Sequence, residues 1–250
     1  MKQTKNIIFL GRKPMAYEAI KYLFSLGFSL KYVVLEKPEY CYETPVSNND
    51  YDLYQLIAKK DRSLNDIDLV ISYLYWEKIR KPLIDLPKFG CINFHPAPLP
   101  DYKGRAGYNT AILDNSKNFG VSAHYINTEQ FDKGPIIKVN RFQISPNENA
   151  HSLEKKTQKE LFSLFKEVIN KSLIINKFKT KQNINGIYLD KKHLEMLKEI
   201  SLKDNSENID NKIRAFFFPP YSGAHIFING KKITLINEEI LNYIKNNELL

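Results

Sequence analysis

Asn93 and His95 stand two residues apart in the stretch CINFHPAPLPDYKG at 91–104, and Asp132 follows in FDKGPII at 131–137. An amide, an imidazole and a carboxylate are the groups that manage a developing oxyanion and a travelling proton. Positions i and i+2 of a strand project to one face, so Asn93 and His95 point together while Phe94 turns into the core. Pro96 cannot donate to a ladder; it ends the strand and leaves His95 at the carboxyl edge. Ligands of open α/β sheets bind at that edge. On spacing alone, a satisfied core histidine and a loop-pinning asparagine explain the pair equally well. Asp132 reads equally as an Asx turn before Lys133-Gly134.

The elements that must carry these residues alternate. IIFLG at 7–11 is a short apolar run, and Pro14 suits the first turn of a helix whose apolar positions are Met15, Ala19, Tyr22, Leu23 and Leu26. Gly27 is a natural stop. KYVVLE at 31–36, DLVISYLY at 68–75 and GCINFH at 90–95 read as further strands, with a helix around 49–60 carrying Leu53, Leu56 and Ile57. Such alternation predicts an α/β fold, a Rossmann-like, doubly wound and mostly parallel sheet. GYNTAILDN then reads as a helix, and GVSAHYI and PIIKVNRFQI as strands. A long amphipathic helix runs from Asn149 to Leu173. The stretch KFKTKQNINGIYLDKK breaks this organisation. Beyond it, AHIFINGKKITLI sets Asn229-Gly230 between two alternating strands, a strong hairpin signal. The expected division is a catalytic domain over 1–178 and a small β-rich C-terminal subdomain over 179–250.

Composition narrows the class. The chain has 250 residues, 43% of them hydrophobic, enough for a sizeable core. Its net charge is +9, but the lysines are spread along the chain rather than gathered into a patch, so no nucleic-acid partner is expected. No apolar run approaches the roughly 18–20 residues of a membrane span. The basic start MKQTKNIIFL has too short an apolar run for a signal peptide, so no membrane and a cytoplasmic location are expected. Cys41 and Cys91 fit no metal-ligand spacing and read as reduced structural thiols. No metal site is expected. Gly11-Arg12-Lys13, between the first strand and Pro14, is placed to receive an anion, with Lys78, Tyr102, Lys103 and Arg105 as further candidates. The stretch matches neither a P-loop nor the dinucleotide fingerprint, which disfavours ATP and NAD chemistry.

CINFHPAPLPDYKGRAGYNTAI, followed by FGVSAHYINTEQFDKGPII, resembles the catalytic core of the folate-dependent formyltransferases over residues 5–175. That family includes methionyl-tRNA formyltransferase, glycinamide ribonucleotide formyltransferase and the sugar N-formyltransferases. Its pattern falls here on Asn93, His95, Pro96, Leu99, Pro100, Lys103, Gly104, Asp132, Gly134 and Pro135. The resemblance implies N10-formyltetrahydrofolate as co-substrate and a primary amine as acceptor. It assigns Asn93 to the formyl oxygen, His95 to the proton, and Asp132 to orienting His95. It also implies a pterin slot at Tyr75, Trp76, Glu77, Lys78 and Ile79, although Trp76 serves equally well as a packing residue. The sequence departs from the family's usual wording in HPAPLPDYKG, where serine and leucine commonly precede Leu-Pro.

The tail KIRAFFFPPYSGAHIFINGKKITLI resembles the segment that sugar N-formyltransferases place after their catalytic core, whereas methionyl-tRNA formyltransferases carry a longer barrel there. Phe217 and Tyr221 are the expected aromatic rim of a nucleotide-sugar site. The implied acceptor is a dTDP-linked amino-dideoxy sugar, first dTDP-4-amino-4,6-dideoxyglucose, then a 3-amino-3,6-dideoxy sugar, for surface polysaccharides such as the O-antigen of lipopolysaccharide. A homodimer is the implied assembly. Two other classes stay open: a formyltetrahydrofolate hydrolase using the same three residues, and an RNA-binding protein built on a formyltransferase core.

Overall fold

The alternation of fully apolar runs with amphipathic ones is realised as a central sheet covered on both faces. The computed structural model describes residues 4–36, 46–47, 50–105, 107–189 and 191–249; Cys41 lies outside them. In chain order the elements are β1 (Asn6–Gly11), α1 (Pro14–Ser25), β2 (Ser29–Leu35), β3 (Val46–Ser47), α2 (Tyr51–Ala58), β4 (Leu69–Tyr73), α3 (Lys81–Ile84) and β5 (Cys91–His95). There follow β6 (Tyr102–Gly104), α4 (Gly107–Leu113), β7 (Asn118–Ile126), β8 (Ile136–Gln143) and α5 (Ala150–Ser172). The C-terminal part holds β9 (Ile187–Leu189), α6 (Lys191–Met196), α7 (Ser206–Phe216), β10 (His225–Ile228), β11 (Lys231–Thr234) and α8 (Glu238–Asn246).

The main sheet is seven-stranded, in the order β3-β2-β1-β4-β5-β7-β8. Strands β3, β2, β1, β4 and β5 pair in parallel, and β7 and β8 extend the sheet antiparallel. The chain leaves β1 for β2 on one side and returns to β4 on the other. Their carboxyl ends, Gly11 and Tyr73, therefore flank the switch point where such sheets bind ligands. Side chains alternate along β1: Ile7 and Phe9 pack under α1 and α5, while Ile8 and Leu10 pack under α2 and α3.

On the α5 face an aromatic cluster fixes the height of β5. Phe94 meets Phe165 at 4.9 Å between ring centroids, and Tyr73 meets Phe165 at 5.5 Å. Helix α5 starts at a capping box, with Asn149 accepting from the Ser152 N–H and the Ser152 hydroxyl reaching back to the Asn149 N–H.

The C-terminal part carries the expected hairpin, β10 with β11, closed by Asn229 and Gly230, both at positive φ. It also adds helices α6, α7 and α8, for which the sequence reading had no assignment. Its apolar residues do not form a separate core. Ile213, Phe216, Ile240 and Ile244 are buried together with Ala111, Ile112, Phe119 and Leu153 of the catalytic part. Arg214 of α7 fastens the two, donating through Nη1 to the Glu148 carbonyl at 3.0 Å, just before α5.

Phe216 is 2% exposed at this shared core. Phe216→Ala is expected to lower stability by about 3–5 kcal/mol in urea denaturation. The catalytic and C-terminal parts are expected to unfold together in one transition.

Candidate active site

The parallel register of β4 with β5 sets Ser72 beside Asn93, and the antiparallel register of β5 with β7 sets Asn93 opposite His124. Three polar side chains thus stand in one row across β4, β5 and β7. The Ser72 hydroxyl donates to Asn93 Oδ1 at 2.8 Å. His124 Nδ1 lies 2.9 Å from the Tyr125 carbonyl, which can only accept, so that nitrogen carries the proton. His124 Nε2 is then free to accept from Asn93 Nδ2 at 3.0 Å. Asn93 is held from both sides in one orientation, and among the described residues its second Nδ2 hydrogen has no acceptor.

His95, 6% exposed, ends β5. Its Nε2 lies 2.9 Å from the Tyr102 carbonyl and its Nδ1 3.3 Å from Asp132 Oδ1. Both neighbours only accept, so both contacts are satisfied when each ring nitrogen carries a proton. The loop leaving His95 is pinned by Ser122, which donates to the Ala97 carbonyl at 2.7 Å and accepts from the Leu99 N–H at 2.8 Å. The Leu99–Pro100 peptide in this loop is cis. Ser122 pairs with His95 in the β5–β7 register, so the proline-rich stretch is fastened to β7 beside the end of β5.

Asp132 closes the constellation. Its Oδ2 accepts from the Gly104 N–H at 2.8 Å, and its Oδ1 faces His95 and, at 3.5 Å, His124 Nε2. Burial alone would push this carboxyl up. The positive charge facing it from a protonated His95 and the hydrogen bond from the Gly104 N–H pull the other way and hold the pKa at about 2. The turn that delivers Asp132 is tight: a Cβ on Gly134 would lie 1.6 Å from the Tyr125 carbonyl oxygen. The structure therefore brings Asn93, His95 and Asp132 together, joined through His124. Sequence reading passed over His124. The one signal was its place in GVSAHYI, on the same alternation that buries Val121 and Ala123 in the opposite direction, and only the register put it against Asn93.

The remaining expected residues fall into separate groups. Gly11, Arg12 and Lys13 lie at the carboxyl end of β1, where the Arg12 N–H donates to the Tyr73 carbonyl at 3.1 Å. Arg12 Nε is buried without a protein partner, Lys13 sits at φ 69, and the Lys13 ammonium pairs with Glu154 of α5. Burial lowers that ammonium to about 8; Arg12 adds to the effect and Glu36 opposes it. Tyr102, Lys103 and Arg105 line a cavity of about 300 Å³ with Asp101, Gly107 and Gly186.

Some expectations are corrected. Lys103 is only 2% exposed and gives its ammonium to the carbonyls of Asn183 and Asn185, so it is not free for a phosphate. Phe217 is 8% exposed, packed edge-on to His151 and Tyr243, and presents no face to a ligand. The neighbouring Phe218 is the ring near the end of β1: Lys13 Nζ stands 5.8 Å from its centroid, and the ring of exposed Tyr221 lies 6.0 Å from it. Lys78 is half exposed and 3.7 Å from Glu129. In the expected pterin stretch, Tyr75 and Trp76 pack together at 4.8 Å, Glu77 is exposed, and Ile79 is buried in the core under α2 and α3. Cys91 is a buried thiol whose pKa burial pushes up.

Residues 41–169 match the formyl transferase family, and residues 195–249 match the C-terminal domain of formyl transferases. The chain belongs to the formyl transferase family. A methionyl-tRNA formyltransferase of Wolbachia sp. subsp. Drosophila simulans is 33% identical over 69% of this chain. The chain spans 54% of that relative, and 66% of the methionyl-tRNA formyltransferase of Ehrlichia chaffeensis. Among solved structures, a 4-N formyltransferase from Francisella tularensis superposes with TM-score 0.77 at 22% identity, covering 94% of this chain and 97% of that one. An N-formyltransferase from Helicobacter canadensis, in complex with folinic acid and dTDP-3-aminofucose, does so with TM-score 0.72 at 26% identity, covering 94% and 89%. Among the described residues, no helix is long and apolar enough to cross a membrane.

The depressed carboxyl has a signed consequence. Unfolded, Asp132 would titrate near 3.8; folded, it titrates at about 2, so its contribution to stability is present above the first value and lost as pH falls to the second. Asp132→Asn is expected to flatten the fall in stability between pH 4 and pH 2, measured by chemical denaturation at a series of pH values.

Proposed function

We propose that this chain moves a formyl group from N10-formyltetrahydrofolate to the amino group of a dTDP-linked amino-dideoxy sugar. The observation that carries the reaction is the closed network Asn93–His124–Asp132–His95 at the carboxyl edge of β5. When the amine attacks the formyl carbon, the carbonyl electrons move to oxygen, and the free Nδ2 hydrogen of Asn93 is a fixed donor for that oxyanion. To accept the proton the amine must lose, His95 is first neutral, with Nε2 unprotonated and turned from the Tyr102 carbonyl to the amine; Asp132 then stabilises the imidazolium at Nδ1. Collapse breaks the bond to N10, which takes up a proton and leaves tetrahydrofolate.

The acceptor is supported by the end-to-end similarity to the Helicobacter canadensis enzyme, C-terminal segment included. Its 26% identity supports a 3-amino sugar as acceptor beside the 4-amino sugar expected first. Arg12 and Lys13 supply donors for a pyrophosphate, with Phe218 and Tyr221 beside them for a flat or apolar part of the ligand. The reading includes a cytoplasmic homodimer, for which exposed Phe227 and Ile228 of the hairpin offer an apolar contact. A second reading, methionyl-tRNA as acceptor, is favoured by the 33% identity to the Wolbachia enzyme.

Incubation with N10-formyltetrahydrofolate, dTDP-3-amino and dTDP-4-amino sugars and methionyl-tRNA is expected to give one formylated sugar by mass spectrometry. His95→Asn and Asp132→Asn are expected to lose at least about 10²-fold in turnover while remaining folded. Formylation of methionyl-tRNA alone would overturn the sugar reading, and formate release without an acceptor would make the protein a hydrolase.

Because the Lys13 ammonium discharges near 8, raising the pH from 7 to 9 is expected to weaken dTDP binding in calorimetry. Lys13→Met is expected to bind more weakly at pH 7 and to lose that pH dependence.

A further inference from the structure

The connection after α5 has no regular structure until β9, yet one of its side chains is buried at the back of the site. Asn183 is 8% exposed. Its Nδ2 donates at once to the carbonyl of Asp132 and to that of Gly134, at 2.9 Å each. Both partners can only accept, so the amide orientation is fixed by chemistry: the NH2 must face the turn. The turn needs holding, because Asp132 itself sits at φ 52, where a residue with a side chain is strained. The same segment grips the other catalytic motif: the carbonyls of Asn183 and Asn185 accept from Lys103 Nζ, and β9 pairs with β6 at Tyr102, Lys103 and Gly104. Gly104 in turn donates to the Asp132 carboxylate.

From this geometry we infer that Asn183 is a positioning residue for catalysis, holding the strained backbone of Asp132 so that its carboxylate meets His95 and Gly104 together. The inference rests on the reading of Asp132 as part of the formyl-transfer site. Asn183 touches no reacting atom. It acts through two carbonyls, and its loss relaxes the turn and lets Asp132 draw back from His95. A displacement of that size in a catalytic group costs up to about 10²-fold in rate without a matching change in binding. The buried carboxylate reports the same displacement, because its state depends on the groups facing it: His95 from β5, His124 from β7, the Gly104 N–H from β6, and the nearby ammonium of Lys103.

The test uses Asn183→Leu, close in shape but without donors, and Asn183→Ser, which keeps one hydroxyl donor and remains readable if the leucine variant does not fold. Two quantities are followed in the whole chain. One is the titration of the Asp132 carboxyl by carbon-13 NMR, which needs no substrate. The other is formyl-group turnover, with kcat and KM separated. The inference expects the Asp132 titration to move up by a pH unit or more, kcat to fall at least about tenfold, and KM to stay within about threefold. The serine variant is expected to fall between leucine and wild type in both readouts. If both variants keep the wild-type titration and kcat and lose only melting temperature, Asn183 is structural and the inference is overturned. If the titration moves as expected while wild type transfers no formyl group, the functional reading fails and the positioning role stands.

Discussion

One buried carboxylate ties this molecule's two sequence motifs into a single site. Asp132 takes the backbone N–H of Gly104 on one oxygen and faces His95 and His124 with the other. A charge kept among apolar strands is costly unless its partners are in place, so every group around it is constrained. His95 must end β5, Gly104 must reach back under it, and the turn before Gly134 must hold a strained φ. Most of the local architecture near the sheet's carboxyl edge serves those three requirements.

The rigidity behind the site comes from opposite faces of the same strands. Phe94 and Tyr73 lock β5 and β4 against Phe165, and the next residue in each direction along β5 is then forced toward the ligand side. Asn93 is clamped between Ser72 and His124 by pairing register alone. No loop flexibility is needed to aim it, as the proposed role of an oxyanion donor that does not reorganise requires.

The C-terminal part is not a loose appendage. Its apolar residues share a core with α4 and α5, Arg214 fastens α7 to the entry of α5, and Phe218 carries its aromatic character to Lys13 at the end of β1. The two parts therefore meet beside the carboxyl end of β1.

Much of this was legible in the residues. The two periodicities, the Asn-Gly turn, Pro14 at a helix start and the placement of Asn93 and His95 on one strand face follow from short-range sterics. These are encoded within a few neighbouring positions. The helices of the tail were harder to read, because their stripes complete a core begun by Ala111, Ile112 and Phe119 far back in the chain. His124, the burial of Phe217 in place of Phe218, the tethering of Lys103, and Asn183 behind Asp132 depend on strand register and on segments many residues apart coming into contact. Such pairings leave no mark in local pattern. The sequence by itself determined the alternating fold and the three polar groups brought to the sheet's carboxyl edge, because both follow from local periodicity; only the tertiary structure decided which neighbours hold them and which charges stay unpaired by them, because that depends on contacts between distant segments.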